Sequence, residues 1–98
     1  MKVYLDDERT EPRGWFRVKT AKEAIKALKN NKVDMISLDH DLGEPENGTG
    51  YDVLVWIEMK VFGGNYNPPE ILIHTANPSA RRKMEQGVKS INKRLNRR

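Results

Sequence analysis

Cysteine is absent from the 98-residue chain, which excludes disulfides and thiolate zinc sites together. Long hydrophobic runs are absent too. Nothing approaches the ~20 apolar residues of a membrane span, and no signal peptide precedes Val3, so a cytoplasmic protein without membrane contact is expected. No internal repeat or low-complexity segment is visible. With 33% charged residues and a mean hydropathy of −0.80, the apolar material suffices for one modest core. The length lies near the lower limit for a five-stranded α/β fold, and a single domain over residues 1–98 is expected.

Acidic residues are nearly missing from one end. Residues 1–80 carry ten Lys and Arg against thirteen Asp and Glu, whereas residues 81–98 carry eight against the single Glu85. The net charge of +4 thus conceals an acidic body and a basic terminal segment. That segment could contact RNA or draw a phosphorylated small molecule toward a site. As a plain solvated helix face, its cations would complement the helix's own C-terminal dipole.

What is present is a set of short apolar runs that end in reactive side chains. Val3-Tyr4-Leu5 leads into Asp6-Asp7-Glu8-Arg9, Met35-Ile36-Ser37-Leu38 into Asp39-His40-Asp41, and Ile71-Leu72-Ile73 into His74-Thr75-Ala76-Asn77. Such runs read as buried parallel strands, and an open α/β sheet binds ligands at the carboxyl ends of its strands. Four aspartates and the chain's two histidines are therefore expected along one edge.

Between these runs the chain alternates. Residues 8–14 are polar and contain Pro12 and Gly14, leaving room for little more than a turn. Residues 15–18 read as a second strand. Thr20 and Glu23 have capping-box spacing ahead of a stripe of Ala24, Ile25 and Leu28, and Asn30-Asn31 ends that helix. A third strand is expected over residues 33–38, then a loop at 43–48 too rich in breakers for regular structure. Thr49 and Asp52 repeat the capping spacing before residues 53–62, apolar nearly all round, which suits a helix packed between sheet and neighbour. After a loop and a fourth strand at 71–73, a basic helix over about 79–96 places Met84, Val88, Ile91 and Leu95 on one stripe. Asn77-Pro78 has the chemistry of an N-cap followed by proline at the first helical position. The order strand, strand, helix, strand, helix, strand, helix points to a parallel sheet with right-handed crossovers.

This order of motifs resembles a response-regulator receiver domain, in which an acidic pair follows strand one, an aspartate follows strand three and Ser/Thr-Ala follows strand four. Asp6-Asp7, Asp39 and Thr75-Ala76 fall in those places, and the similarity covers residues 3 to about 77. The fifth strand and its lysine are missing, the first helix is nearly absent, and His40, Asp41, His74 and Asn77 are foreign to ordinary receivers. Together, Leu5-Asp6-Asp7-Glu8-Arg9, Ser37-Leu38-Asp39-His40-Asp41-Leu42-Gly43 and His74-Thr75-Ala76-Asn77-Pro78 resemble the cyclic-phosphate-processing receiver-like domains. The resemblance implies a three-layer α/β fold of receiver or flavodoxin type, truncated: a four-stranded parallel sheet of order 2-1-3-4, without the fifth strand and with a degenerate first helix.

Asp6, Asp7 and Asp39 make a hard-oxygen cluster suited to a divalent metal. Mg²⁺ fits first, since it prefers one or two carboxylates with water and phosphate oxygens; histidine ligands would favour Mn²⁺ or Zn²⁺. A cation would relieve the repulsion of closely spaced carboxylates, so removing Asp6 or Asp39 is expected to stabilise the metal-free fold. Any one aspartate could instead cap a turn. His40 and His74 could divide acid–base work, since imidazole titrates near neutrality, with Asp39 and Asp41 beside them in the catalytic set. They could also be ligands, or be satisfied by hydrogen bonds under a loop. Thr75, Asn77 and Arg81 are candidate donors to phosphoryl oxygens at a helix N-terminus, although capping alone accounts for Asn77.

The function that absorbs most of these residues is hydrolysis of a cyclic phosphate, on an RNA terminus or a nucleotide-derived metabolite, by a phosphoesterase with a divalent metal. The alternative is a non-catalytic or phospho-accepting pseudo-receiver that signals through Asp39. The missing lysine argues against phosphoryl transfer, which would lose a stabilising positive charge. A nucleic-acid module led by the basic helix would leave the acidic cluster without purpose.

Overall fold

The computed structural model describes residues 1–96. Strands β1 (Lys2–Leu5), β2 (Phe16–Val18), β3 (Met35–Leu38) and β4 (Glu70–Ile73) form one parallel sheet in the order β2-β1-β3-β4. Helices α1 (Ala21–Asn30), α2 (Gly50–Phe62) and α3 (Pro78–Leu95) follow β2, β3 and β4. The strand order and the helix-free link from β1 to β2 agree with the sequence. β3 begins two residues later than the apolar pattern, and the breaker-rich loop holds one 3-10 turn, Pro45–Asn47, with proline at its start where no amide is needed.

Local chemistry sets the helix starts. The Thr20 hydroxyl accepts from the Glu23 amide at 3.1 Å, Thr49 and Asp52 form a reciprocal capping box, and the Asn77 side chain accepts from the Ala80 amide at 3.1 Å with Pro78 next. Each cap satisfies amides that a helix start leaves without partners.

Alternation along the strands separates two faces. Val3, Leu5, Val18, Ile36 and Leu38 point to one face and pack with Leu28, Val53, Leu54, Ile57, Met84 and Ile91 into the core. Burying each large apolar side chain contributes about 1.5–3 kcal/mol. On α3, Met84 and Ile91 are fully buried, while Val88 and Leu95 are half-buried at the rim. α2 lies between α1 and α3, so the three helices make one layer on this face.

The three helices lie on one face of the sheet only. With no helix between β1 and β2 and no strand after α3 among the described residues, no helix layer covers the opposite face. That face carries Tyr4, Arg17, Ser37 and Leu72 in register. Tyr4 and Ser37 are nonetheless buried there, under Trp15 and the ring of His74. β4 is left as an edge strand, only four residues long and preceded by Pro68-Pro69, both features that discourage pairing with another chain.

Candidate functional site at the carboxyl edge of the sheet

Register builds the site. Leu5 pairs with Leu38, and Leu38 with Ile73. The next residue of each strand is Asp6, Asp39 and His74, and the backbone ladder runs on through them: Asp6 N–H to the Val18 carbonyl, Asp39 N–H to Leu5 and His74 N–H to Leu38, each at 3.0 Å. One ligand atom from each of Asp6, Asp39 and His74 lies within 4.8 Å of the other two, a group able to hold a metal ion. Asp7 lines the same cleft, of about 380 Å³, but is not a member of that group. His74 completes it instead.

The electrostatics of the group follow from what each atom touches. Asp6 Oδ1 accepts from the Glu8 and Arg9 amides, both at 2.8 Å, and Asp6 Oδ2 lies 3.0 Å from His74 Nε2. Burial pushes this carboxyl up, but the Arg9 and Glu8 amides and the His74 ring together outweigh it and hold Asp6 below its ordinary value. Asp39 goes the other way. Burial raises it and the Asp6 charge adds to that, against the lowering from the His40 amide and the Thr75 hydroxyl. Burial also lowers His74, more than its two aspartate neighbours raise it. Two carboxylates that repel, beside an imidazole held neutral, are a donor set that a divalent cation fits.

Both nitrogens of His74 are engaged, since Nδ1 lies 2.7 Å from the Ser37 hydroxyl and the ring stacks on Tyr4 at 4.3 Å with 4° between the planes. Ser37 and Tyr4 were not singled out from sequence. The available signal was polarity: Ser37 is the lone hydroxyl inside a buried apolar strand, and such a group has to find a partner. Arg9 was also missed. It lines the cleft, and its guanidinium donates to the His74 carbonyl at 3.0 Å.

The remaining sequence candidates divide. Asp41 lines the cleft and its carboxylate meets His40 Nδ1 at 2.9 Å, while His40 itself is outside the cleft lining. This loop is pinned by the antiparallel bridge of Asp41 with Thr49, by the Gly50 amide on the His40 carbonyl at 3.2 Å and by buried Leu42. Thr75 lines the cleft, with its hydroxyl bonded to Asp39 and accepting from the Asn77 amide at 3.2 Å. Asn77 caps α3 and is not part of the lining. Arg81 bonds the Thr75 carbonyl at 3.4 Å and faces a separate cleft between β4 and α3, with Leu72 and Glu85. A further cleft of about 350 Å³, beside Leu28, Val33 and Tyr66, offers one carboxylate, Asp34, which already holds the N-terminal ammonium at 2.6 Å.

A parallel sheet of this order, with acidic residues after β1 and β3 and Thr-Ala after β4, defines a receiver-like α/β domain. The family model of the cyclic-phosphate processing receiver domain matches residues 1–90, and the chain belongs to that family. Comparison with curated proteins and with solved structures gives no match. No helix among the described residues is long and apolar enough to cross a membrane.

Proposed function

We propose that the chain is a phosphoesterase that hydrolyses a cyclic phosphate, on an RNA end or a nucleotide-derived metabolite, to a phosphomonoester. One observation carries this: in a member of the cyclic-phosphate processing receiver family, Asp6, Asp39 and His74 converge at the carboxyl ends of three adjacent strands. Opening the ring adds water across one P–O ester bond. Hydroxide goes to phosphorus, the ester bond breaks, and the proton ends on the departing sugar oxygen.

Asp6, Asp39 and His74 would hold the divalent ion, with Asp7 at hand in the same cleft. The imidazole in this set favours Mn²⁺ or Zn²⁺ over Mg²⁺. When bound, the ion supplies Lewis-acid polarisation and charge neutralisation. As a ligand through Nε2, His74 carries its proton on Nδ1, and the Ser37 hydroxyl can accept that hydrogen bond. His40 is the better proton carrier. Asp41 engages its Nδ1, which leaves Nε2 to take or give a proton, and Asp41 itself reaches the cleft.

The test is 31P NMR of a 2′,3′-cyclic mononucleotide and of an RNA oligonucleotide with a cyclic end, each incubated with protein and Mn²⁺ and read after the paramagnetic ion is stripped on a chelating resin. A phosphomonoester signal is expected from at least one. His40→Ala should lower the rate by ~10²–10⁴ with metal affinity kept, whereas His74→Ala should weaken metal binding first and recover in excess Mn²⁺. No product from either substrate with Mg²⁺, Mn²⁺ or Zn²⁺ would sink the proposal.

A further inference from the structure

We infer that Arg9 is the phosphate-binding cation of this cleft, a role that deepens the phosphoesterase proposal and rests on its placement of the site. The cleft is walled by Asp6, Asp7, Glu8, Asp39 and Asp41, and Arg9 is the one cation among its lining residues. An anion entering such a wall needs a counter-charge that is already in place. Arg9 is built in at three points: its amide donates to Asp6 Oδ1 at 2.8 Å, its carbonyl accepts from Arg17 at 2.8 Å, and its guanidinium donates through NH1 to the His74 carbonyl at 3.0 Å. The first and last of these tie it to two residues of the carboxylate–imidazole group.

The partner of the guanidinium decides its role. Among the described residues, Arg9 forms no ion pair with a carboxylate, although five line the cleft with it. Its side-chain hydrogen bond is to a neutral carbonyl, which orients the planar fork without cancelling its charge. A guanidinium offers five donors in a fixed plane that matches two phosphate oxygens, and the carbonyl contact uses one of its nitrogens. Thr75 is less available, because its hydroxyl already serves Asp39 and the Asn77 amide.

The experiment titrates inorganic phosphate into the full chain with stoichiometric Zn²⁺, which is diamagnetic, and follows the Arg9 Nε–Hε resonance by 1H–15N NMR. The resonance should move and saturate with the same midpoint as the calorimetric isotherm. Arg9→Gln, which removes the charge and the fork but keeps a planar polar group, should weaken phosphate binding ~10- to 100-fold with Zn²⁺ affinity unchanged. Arg9→Lys should fall between, since it keeps the charge and loses the fork. A still resonance, an unchanged phosphate affinity in Arg9→Gln, or no phosphate binding by the wild type would each overturn the assignment and leave Arg9 as a loop staple. If Arg9→Gln does not fold, the wild-type resonance decides alone. Phosphate binding that depends on Arg9 in a protein that opens no cyclic phosphate would uphold Arg9 and remove the hydrolytic proposal.

Discussion

Asp6 and Asp39 occupy neighbouring positions in one row, yet their acidities are displaced in opposite directions because their oxygens meet different partners. Two backbone amides and an imidazole stabilise the charged form of Asp6, so its ionisation favours the fold. That contribution is complete above the ordinary value of 3.8 and is lost as pH falls from there through the lower folded value. Asp39 holds its proton in the folded state to higher pH than in the unfolded chain, so stability declines as pH rises from 3.8 through the raised folded value. His74, lowered from 6.5, adds a loss as pH drops below 6.5, because the unfolded ring takes up a proton first. The sequence-based expectation that removing either carboxylate stabilises the metal-free fold therefore splits. Without metal at pH 7, Asp39→Asn should raise Tm and flatten the decline between acid and neutral pH, while Asp6→Asn should lower Tm. Melting curves from pH 3 to 8 in chelator check both signs, and a Tm gain from Asp6→Asn would contradict the assigned contacts.

The elements are held to the site by one close approach. A Cβ built on Gly50, the first residue of α2, would lie 1.9 Å from the Asp39 carbonyl oxygen and 2.9 Å from Met84 Cε. The first of these is backbone and cannot give way, so Gly50→Ala has to move either α2 or the chain leaving β3. It should cost at least ~3 kcal/mol by denaturant unfolding and disturb Asp39 as well. On α3, Ile91→Asp places an unpaired charge among core side chains and should unfold the chain outright, read as loss of the far-UV CD transition. Also on α3, Arg94 lies over the Phe62 ring at 4.9 Å, so its neutralisation should cost about 0.5–1 kcal/mol. Arg97 and Arg98 lie outside the described residues. These elements show what a sequence reveals and what it withholds. The caps at Thr20, Thr49 and Asn77 act over three residues, and the strand-end chemistry of Asp6, Asp39 and His74 follows once parallel pairing is assumed, so both were legible. The pairing of Ser37 with His74 depends on register across 37 residues, and that of Arg9 with the His74 carbonyl on 65. No local pattern marks either one.

At the scale of the whole molecule, charge and layering act together. The cleft at the strand ends gathers carboxylates around one arginine, while the basic residues of α3 are partly used in packing: Lys83 lies over Tyr51 at 4.2 Å and Arg94 over Phe62. The sheet face that no helix covers among the described residues adds no second helical layer over the strand ends, and there the Asp6–His74 contact and the Arg9 tie join the loops that follow β1 and β4. A cation in that group should therefore act on the fold as a whole, since it binds three residues from three strands and replaces the repulsion between Asp6 and Asp39 with attraction. A ligand at 100 times its Kd stabilises the native state by about 2.7 kcal/mol, a large share of the 5–15 kcal/mol typical of a folded chain. In a chain of this length that corresponds to a Tm rise of roughly 10–20 °C. Calorimetric melting with saturating Mn²⁺ should show that shift in the wild type, in His40→Ala and in Asp41→Asn, because neither residue belongs to the ligand group. Asp6→Asn, Asp39→Asn and His74→Ala should each lose most of it. A wild type whose Tm is the same in chelator, Mg²⁺, Mn²⁺ and Zn²⁺ would mean that Asp6, Asp39 and His74 hold the strand ends together by hydrogen bonds alone.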